Sequence, residues 1–161
     1  MRKLARKKIM ESLLLKIETT GLDAMVDEVL QVLFVDLSGN IIYNKCFYSD
    51  NPSAFTYNGL PGNILKSLQP YRKDDIQREI DSFAKNFTVY SFNKEFDESF
   101  LEIEPVSWLS ILDLLPRRKR IPNLECYKSI PNAAYRKALN ILSLMSDNNL
   151  LPEEEIFSLS F

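Results

Sequence analysis

Histidine is absent from all 161 residues of the chain. Its absence excludes imidazole metal sites, Ser-His and Cys-His nucleophile pairs, and any histidine general base. Cysteine is almost as scarce. Cys46 and Cys126 stand far apart, fit no metal-binding spacing and lie in apolar neighbourhoods, which predicts two reduced core residues in a cytoplasmic protein. Long hydrophobic runs are missing as well: the apolar stretch behind the basic N-terminus is too short for a signal peptide or a membrane span. Nor is positive charge in excess. Lys and Arg number 20 against 22 Asp and Glu, for a net charge of −2, so the chain as a whole lacks the basic balance of a nucleic-acid binder and keeps only local basic patches. Repeats and low-complexity tracts are also lacking.

What remains is an ordinary globular composition, 45% hydrophobic and 26% charged, at a length that suits one domain with a sizeable core. Residues 1–11 read as a basic arm carrying Arg2, Lys3, Arg6, Lys7 and Lys8, residues 12–147 as the domain, and residues 148–161 as a tail. Leu13–Ile17 is a short apolar run bounded by a turn, the pattern of a strand buried on both faces. Glu28–Asp36, rich in Val, Leu and Phe, predicts a central strand. Ser38-Gly39-Asn40 predicts a hairpin turn, and Ile41–Tyr48, roughly alternating, the partner strand. Asp74–Ala84 places Ile76, Ile80 and Phe83 at helical spacing behind acids in the first turn. There follow a strand over Phe87–Tyr90, a helix over Lys94–Ile103, a strand-to-helix segment over Trp108–Leu115, a short helix over Asn123–Ser129 and a closing helix over Asn132–Ser146. The order β-β-β-α-β-α-β-α-α predicts an α/β fold, a mixed sheet with helices on both faces.

The chemistry concentrates where the first strand ends. Lys16-Ile17-Glu18-Thr19-Thr20-Gly21 sets a carboxylate at the rim of the sheet, where open α/β folds place their ligands, ahead of a tight turn. This stretch resembles motif one, Asp-x-Glu-Thr-x-Gly, of the DnaQ-like (DEDDh) 3′→5′ exonucleases, a ribonuclease-H-like family that includes polymerase III proofreading (epsilon) subunits. Lys16 stands where that motif has its leading aspartate. Asp27-Glu28-Val29-Leu30-Gln31-Val32 is similar to the family's second strand, and Tyr57-Asn58-Gly59-Leu60 to its His-Gly-Ile loop, with Asn58 at the histidine. Val89-Tyr90-Ser91-Phe92-Asn93-Lys94-Glu95-Phe96-Asp97 resembles motif two, Val-x-x-x-Asn-x-x-Phe-Asp, with Asp97 at the metal-binding aspartate. Trp108–Leu115 looks like the Asp-Thr-Leu segment, with Asp113 near the expected acid. The last helix aligns with His-x-Ala-x-x-Asp-Ala, but Asn132 stands at the general base and Lys137 at the final acid. Ala133 occupies the position of the tyrosine variant, and Tyr135 is displaced from it by two. The likeness runs from about Leu13 to Met145 and implies a ribonuclease-H-like fold with a mixed five-stranded sheet.

The family's reaction uses two divalent metals bridged by four carboxylates. The four positions here read Lys16, Glu18, Asp97 and Lys137, a formal charge of zero from two carboxylates and two ammoniums. The resemblance therefore implies a pseudoenzyme with no catalytic residue. Glu18 and Asp97 become vestigial metal positions without a metal cofactor, each within reach of a charge-assisted bond from Lys16 or Lys137. The expected function is an inactive exonuclease-like binding or scaffolding module in DNA replication or repair. One alternative is an active 3′→5′ exonuclease with an altered Mg²⁺ or Mn²⁺ site on Glu18 and Asp97, helped by Asp113. Another is a purely structural subunit. Arg117, Arg118, Lys119 and Arg120 are candidates for phosphate contacts, together with the basic arm, and Phe55, Tyr57 and Phe92 for base stacking or core packing. Ile156-Phe157-Ser158-Leu159-Ser160-Phe161 resembles the sliding-clamp-binding hexapeptide, roughly Gln-x-Ser-Leu-x-Phe, with Ile156 at the glutamine. That likeness makes Phe157, Leu159 and Phe161 candidate contacts to a polymerase or sliding clamp, with single-stranded nucleic acid as a further partner.

Overall fold

The computed structural model describes residues 11–47, 49, 73–116 and 133–152. In chain order the elements are β1 (Ser12–Thr19), β2 (Val29–Asp36), β3 (Ile41–Cys46), α1 (Lys73–Ala84), β4 (Thr88–Ser91), α2 (Lys94–Phe100), β5 (Ser107–Ser110), α3 (Ile111–Leu114) and α4 (Ala133–Asp147). The strands form one sheet in the order β3-β2-β1-β4-β5. β1 pairs antiparallel with β2 and parallel with β4, so the sheet is mixed, as the element order predicted.

Central β1 is apolar on both faces because both faces are covered. Leu13, Leu15 and Ile17 join a core with Phe34, Ile76 and Ile80 on the α1 side. Leu14 points the other way, into a second core with Leu33, Val35 and α4 residues Ala134, Ala138 and Ile141. The two-residue period of the strand thus sorts its side chains between two helical layers. Helices lie on both faces, as expected.

Three local expectations change. β3 does not alternate: Ile41 and Ile42 are both exposed, because the register with β2 steps from Tyr43 opposite Phe34 to Ile41 opposite Val35. Ile42 is the extra residue of a bulge, which breaks the alternation on an edge strand. Cys46, on that edge, is half-buried rather than a core residue, and its thiol is free. The helix from Lys94 ends at Phe100 instead of reaching Ile103. Leu101 and Ile103 are buried while Glu102 and Glu104 are exposed, the period of an extended chain. Side chains of α1 take the role of a ladder there, with Gln77 Oε1 accepting from the Glu102 amide at 3.0 Å and Asp81 Oδ1 from the Glu104 amide at 2.8 Å.

The β2–β3 turn is where α4 begins to be fixed. Asp36 Oδ1 accepts from the amides of Ser38 and Asn40, and Gly39 sits at φ +91°. The Tyr135 hydroxyl donates to the Gly39 carbonyl at 2.6 Å, and a Cβ at Gly39 would approach Leu139 Cδ2 at 3.3 Å. Gly39→Ala is expected to lower unfolding stability by about 1–2 kcal/mol, since an L side chain is strained at that φ. Urea denaturation checks this, and a variant as stable as the parent would contradict it.

Candidate functional site

The alternation that buries Leu14 against α4 also aims Lys16 and Glu18 toward that layer, at the end of β1 where the register with β2 shifts. Lys137 lies on α4 next to its buried stripe of Ala134, Ala138 and Ile141. Its Nζ donates to both carboxylate oxygens of Glu18, at 2.9 Å to Oε1 and 3.2 Å to Oε2. Glu18 is only 6% exposed, whereas the Lys137 side chain is 45% exposed, so the ammonium covers the carboxylate from the solvent side. Lys16 Nζ approaches the same Oε1 at 3.8 Å and donates to the Ile17 carbonyl at 2.8 Å.

Asp97 occupies the first turn of α2, which is capped by the Asn93 side chain accepting from the Phe96 amide at 3.3 Å. The carboxyl is buried, and burial pushes its pKa up to about 6, against the pull of the Lys16 ammonium and a hydrogen bond with Ser91; the Glu18 charge adds to the rise. Ser91, fully buried at the end of β4, accepts from Trp108 Nε1 at 2.9 Å, which leaves its own hydroxyl hydrogen for Asp97. Trp108 is also faced by Lys94, whose Nζ lies 5.5 Å from the ring centroid.

The turn after Glu18 is held chiefly by the Asp27 carboxylate. Asp27 Oδ1 accepts from the Thr20 hydroxyl and Oδ2 from the Asp23 amide, both at 2.9 Å, while Thr20 Oγ1 accepts from the Glu28 amide at 3.0 Å. A Cβ on Gly21 would stand 2.4 Å from Asp27 Oδ2. A side chain at Gly21 would therefore displace the Asp27 carboxylate, and the Thr-Thr-Gly turn and Asp27 form one unit.

Of the residues singled out from sequence, Lys16, Glu18 and Lys137 meet directly, and Asp97 lies within electrostatic range of Lys16 and Glu18. Asp113 does not join them. It is exposed and lines a cavity of about 240 Å³ with Asn93, Lys94, Glu95 and Glu98, whose walls include neither Glu18 nor Asp97. Tyr135 reaches the β2–β3 turn instead, and Phe92 is partly buried against the second core. Phe55, Tyr57, Asn58, Arg117, Arg118, Lys119, Arg120, Cys126, Asn132, Phe157, Leu159 and Phe161 lie outside the described residues. Sequence reasoning missed Ser91 and Trp108, because a strand serine and a strand tryptophan carry no charge signal.

Chemically, the group is a poor fit to a divalent cation. Ammoniums offer hydrogen-bond donors and no lone pair, so Lys16 and Lys137 cannot ligate a metal, and they occupy the oxygen face of the carboxylate that could. Among the described residues no three His, Cys, Asp or Glu side chains are grouped to hold a metal ion.

No family model matches the chain, and no curated protein does. Solved structures match in fold. Exonuclease X in complex with 5′-overhanging duplex DNA is 17% identical with a TM-score of 0.55, over 89% of this chain and 96% of that one. The zinc-bound E. coli ExoI–ssDNA complex is 14% identical with a TM-score of 0.57, over 94% of this chain and 43% of that one. Product-bound exonuclease I is 15% identical with a TM-score of 0.54, over 87% of this chain and 44% of that one. The chain thus spans less than half of these two exonuclease I chains. It has the ribonuclease-H-like exonuclease fold.

Two outcomes follow from the charges. The native pKa of Asp97 lies above that of an unfolded aspartate, so the protonated carboxyl favours folding fully below about pH 4, and this contribution is lost as pH rises through about 6. The loss is on the order of 3 kcal/mol, and Asp97→Asn should flatten the stability profile between pH 4 and 7; equal slopes in parent and variant would refute the assignment. Lys137→Met leaves Glu18 with the 3.8 Å contact alone and should cost about 1–2 kcal/mol at pH 7, discounted for the partial exposure of the pair. In a Glu18→Gln background the same change should cost almost nothing, as a double-mutant cycle will read.

Proposed function

We propose that this chain is an exonuclease-fold domain without hydrolytic activity that serves as a binding or scaffolding module in DNA replication or repair. The observation that carries the reading is the Lys137 ammonium on both oxygens of Glu18, with Lys16 beside it. A divalent cation at this rim would have to displace two tethered cations from a buried carboxylate and recruit Asp97, whose burial raises its pKa to about 6. Hydrolysis at a phosphodiester also needs an activated water, and with no histidine in the chain the usual base is missing. Glu18 and Asp97 are on this reading former metal positions, with no metal cofactor.

DNA is the ligand class favoured by likeness, since exonuclease X and ExoI are each seen with DNA bound. Arg117, Arg118, Lys119 and Arg120 are the proposed phosphate contacts, and single-stranded ends the proposed form of nucleic acid. Phe157, Leu159 and Phe161 are the proposed contacts to a polymerase or sliding clamp.

Calorimetric titration with Mn²⁺, with and without a short single-stranded oligonucleotide, is expected to give no metal binding in the micromolar range. The labelled oligonucleotide is expected to survive incubation with Mg²⁺ or Mn²⁺. Lys16→Asp/Lys137→Asp should gain metal binding, because it restores four carboxylates around the rim. Metal-dependent digestion by the unaltered chain, abolished by Asp97→Ala, would instead establish a working nuclease.

A further inference from the structure

The loop between β1 and β2 presents apolar side chains to solvent while being tightly built. Leu22, Met25 and Val26 are 86%, 90% and 77% exposed, the three most exposed large apolar residues among those described. They are not on a slack segment. Asp27 binds Thr20 and the Asp23 amide, and the Asp27 and Val26 amides both donate to the Asp23 carbonyl, at 2.7 and 3.1 Å. The loop cannot fold these side chains inward without breaking that frame. Three large apolar side chains exposed within five residues of one hydrogen-bonded loop are the kind of feature that serves an interaction surface.

Charge decides what kind of surface it is. The loop itself carries three acids, Asp23, Asp27 and Glu28, and no Lys or Arg, while Glu18 behind it is already paired with Lys16 and Lys137. Asp23, between Leu22 and Met25, and Glu28, two residues after Val26, are both exposed. Phosphate backbones are repelled by such a rim, so the complementary occupant is a basic polypeptide segment with apolar side chains. The acidic segment Glu153–Glu155 is excluded by the same argument. Residues 1–10 fit: Arg2, Lys3, Arg6, Lys7 and Lys8, no acid, and Leu4, Ile9 and Met10 as the apolar component.

Reach decides which copy supplies the segment. β1 begins at Ser12 and the loop follows Thr19, so the two are separated by the length of an eight-residue strand, about 26 Å. Ten residues span at most about 33–36 Å when fully extended, which leaves almost no slack for a path back over the same domain. We propose that residues 1–10 of a second copy dock on the loop that carries Leu22, Met25 and Val26 together with Asp23 and Glu28, reciprocally, in a two-fold dimer.

Sedimentation velocity on the full chain tests this. A dimer is expected at low salt that dissociates toward monomer near 1 M salt, since the rim charges are screened there. Leu22→Ser/Met25→Ser/Val26→Ser should weaken association at least about tenfold with unchanged circular dichroism. Glu28→Lys alone and Arg6→Glu/Lys7→Glu alone should each weaken it too. Mixing those two charge-reversed proteins should restore the dimer, because each segment then meets a loop of opposite sign on the other copy. A monomeric parent at low salt, a dimer indifferent to the triple substitution, or a mixture that fails to recover would each overturn the proposal. So would a loop whose triple substitution abolishes oligonucleotide binding in a monomeric protein.

Discussion

A carboxylate buried at the end of a central strand is the constraint around which this molecule is arranged. Glu18 is held at the sheet rim by β1, and an ion in that position costs several kcal/mol unless it is paired. The pairing comes from two directions: from two residues earlier on the same strand face, and from the helix that covers that face. Lys137 can serve only if α4 is docked, and α4 docks by burying Ala134, Ala138 and Ile141 against Leu14 and Leu33. The ion pair and the second core therefore stand or fall together. Asp97 meets the same problem differently. With no ammonium in direct contact among the described residues, it leans on a serine hydroxyl and a raised pKa, so one rim holds a carboxylate paired with ammoniums and another whose burial raises its pKa.

The fold was legible where burial speaks through periodicity. The apolar run of β1, the Val-Leu-Phe run of β2 and the spacing of Ile76, Ile80 and Phe83 each announce an element, and their order yields a mixed sheet covered on both sides. What escaped was set by pairing rather than composition. The bulge at Ile42 depends on the register with β2, and the half-burial of Cys46 depends on β3 being the sheet's edge. Leu101-Glu102-Ile103-Glu104 carried a legible two-residue period, yet the preceding helix pattern overshadowed it. At the site, the charged positions were readable because motifs preserve spacing. The Trp108–Ser91–Asp97 chain was not, since neutral side chains become partners only once β4, β5 and α2 are brought together.

The structural likeness to exonucleases at sequence identities of 14–17% fits this division. Layered burial tolerates any apolar residue of suitable size, so a sheet with helices on both faces persists through extensive substitution. Rim residues answer to different demands, and the rim is where this chain holds lysines. Fold and chemistry are carried by separate sets of positions, which is why shared architecture alone says little about activity.

A rim of clustered carboxylates repels itself and requires cations to be supplied. Solution can supply them as metal ions, with an affinity that varies with pH and metal concentration. The chain can supply them as lysines, at an effective concentration fixed by the fold. Placing one ammonium on β1 and another on α4 makes the electrostatic balance of the rim intrinsic. The charge of Glu18 is then met within the chain, by Lys16 and Lys137. The loop beside Glu18 shares that framework, since Thr19 and Thr20 follow the carboxylate directly, the Thr19 hydroxyl donating to the Gly21 carbonyl and the Thr20 hydroxyl to Asp27. A segment already held by such hydrogen bonds has little ordering entropy left to lose in any contact it makes.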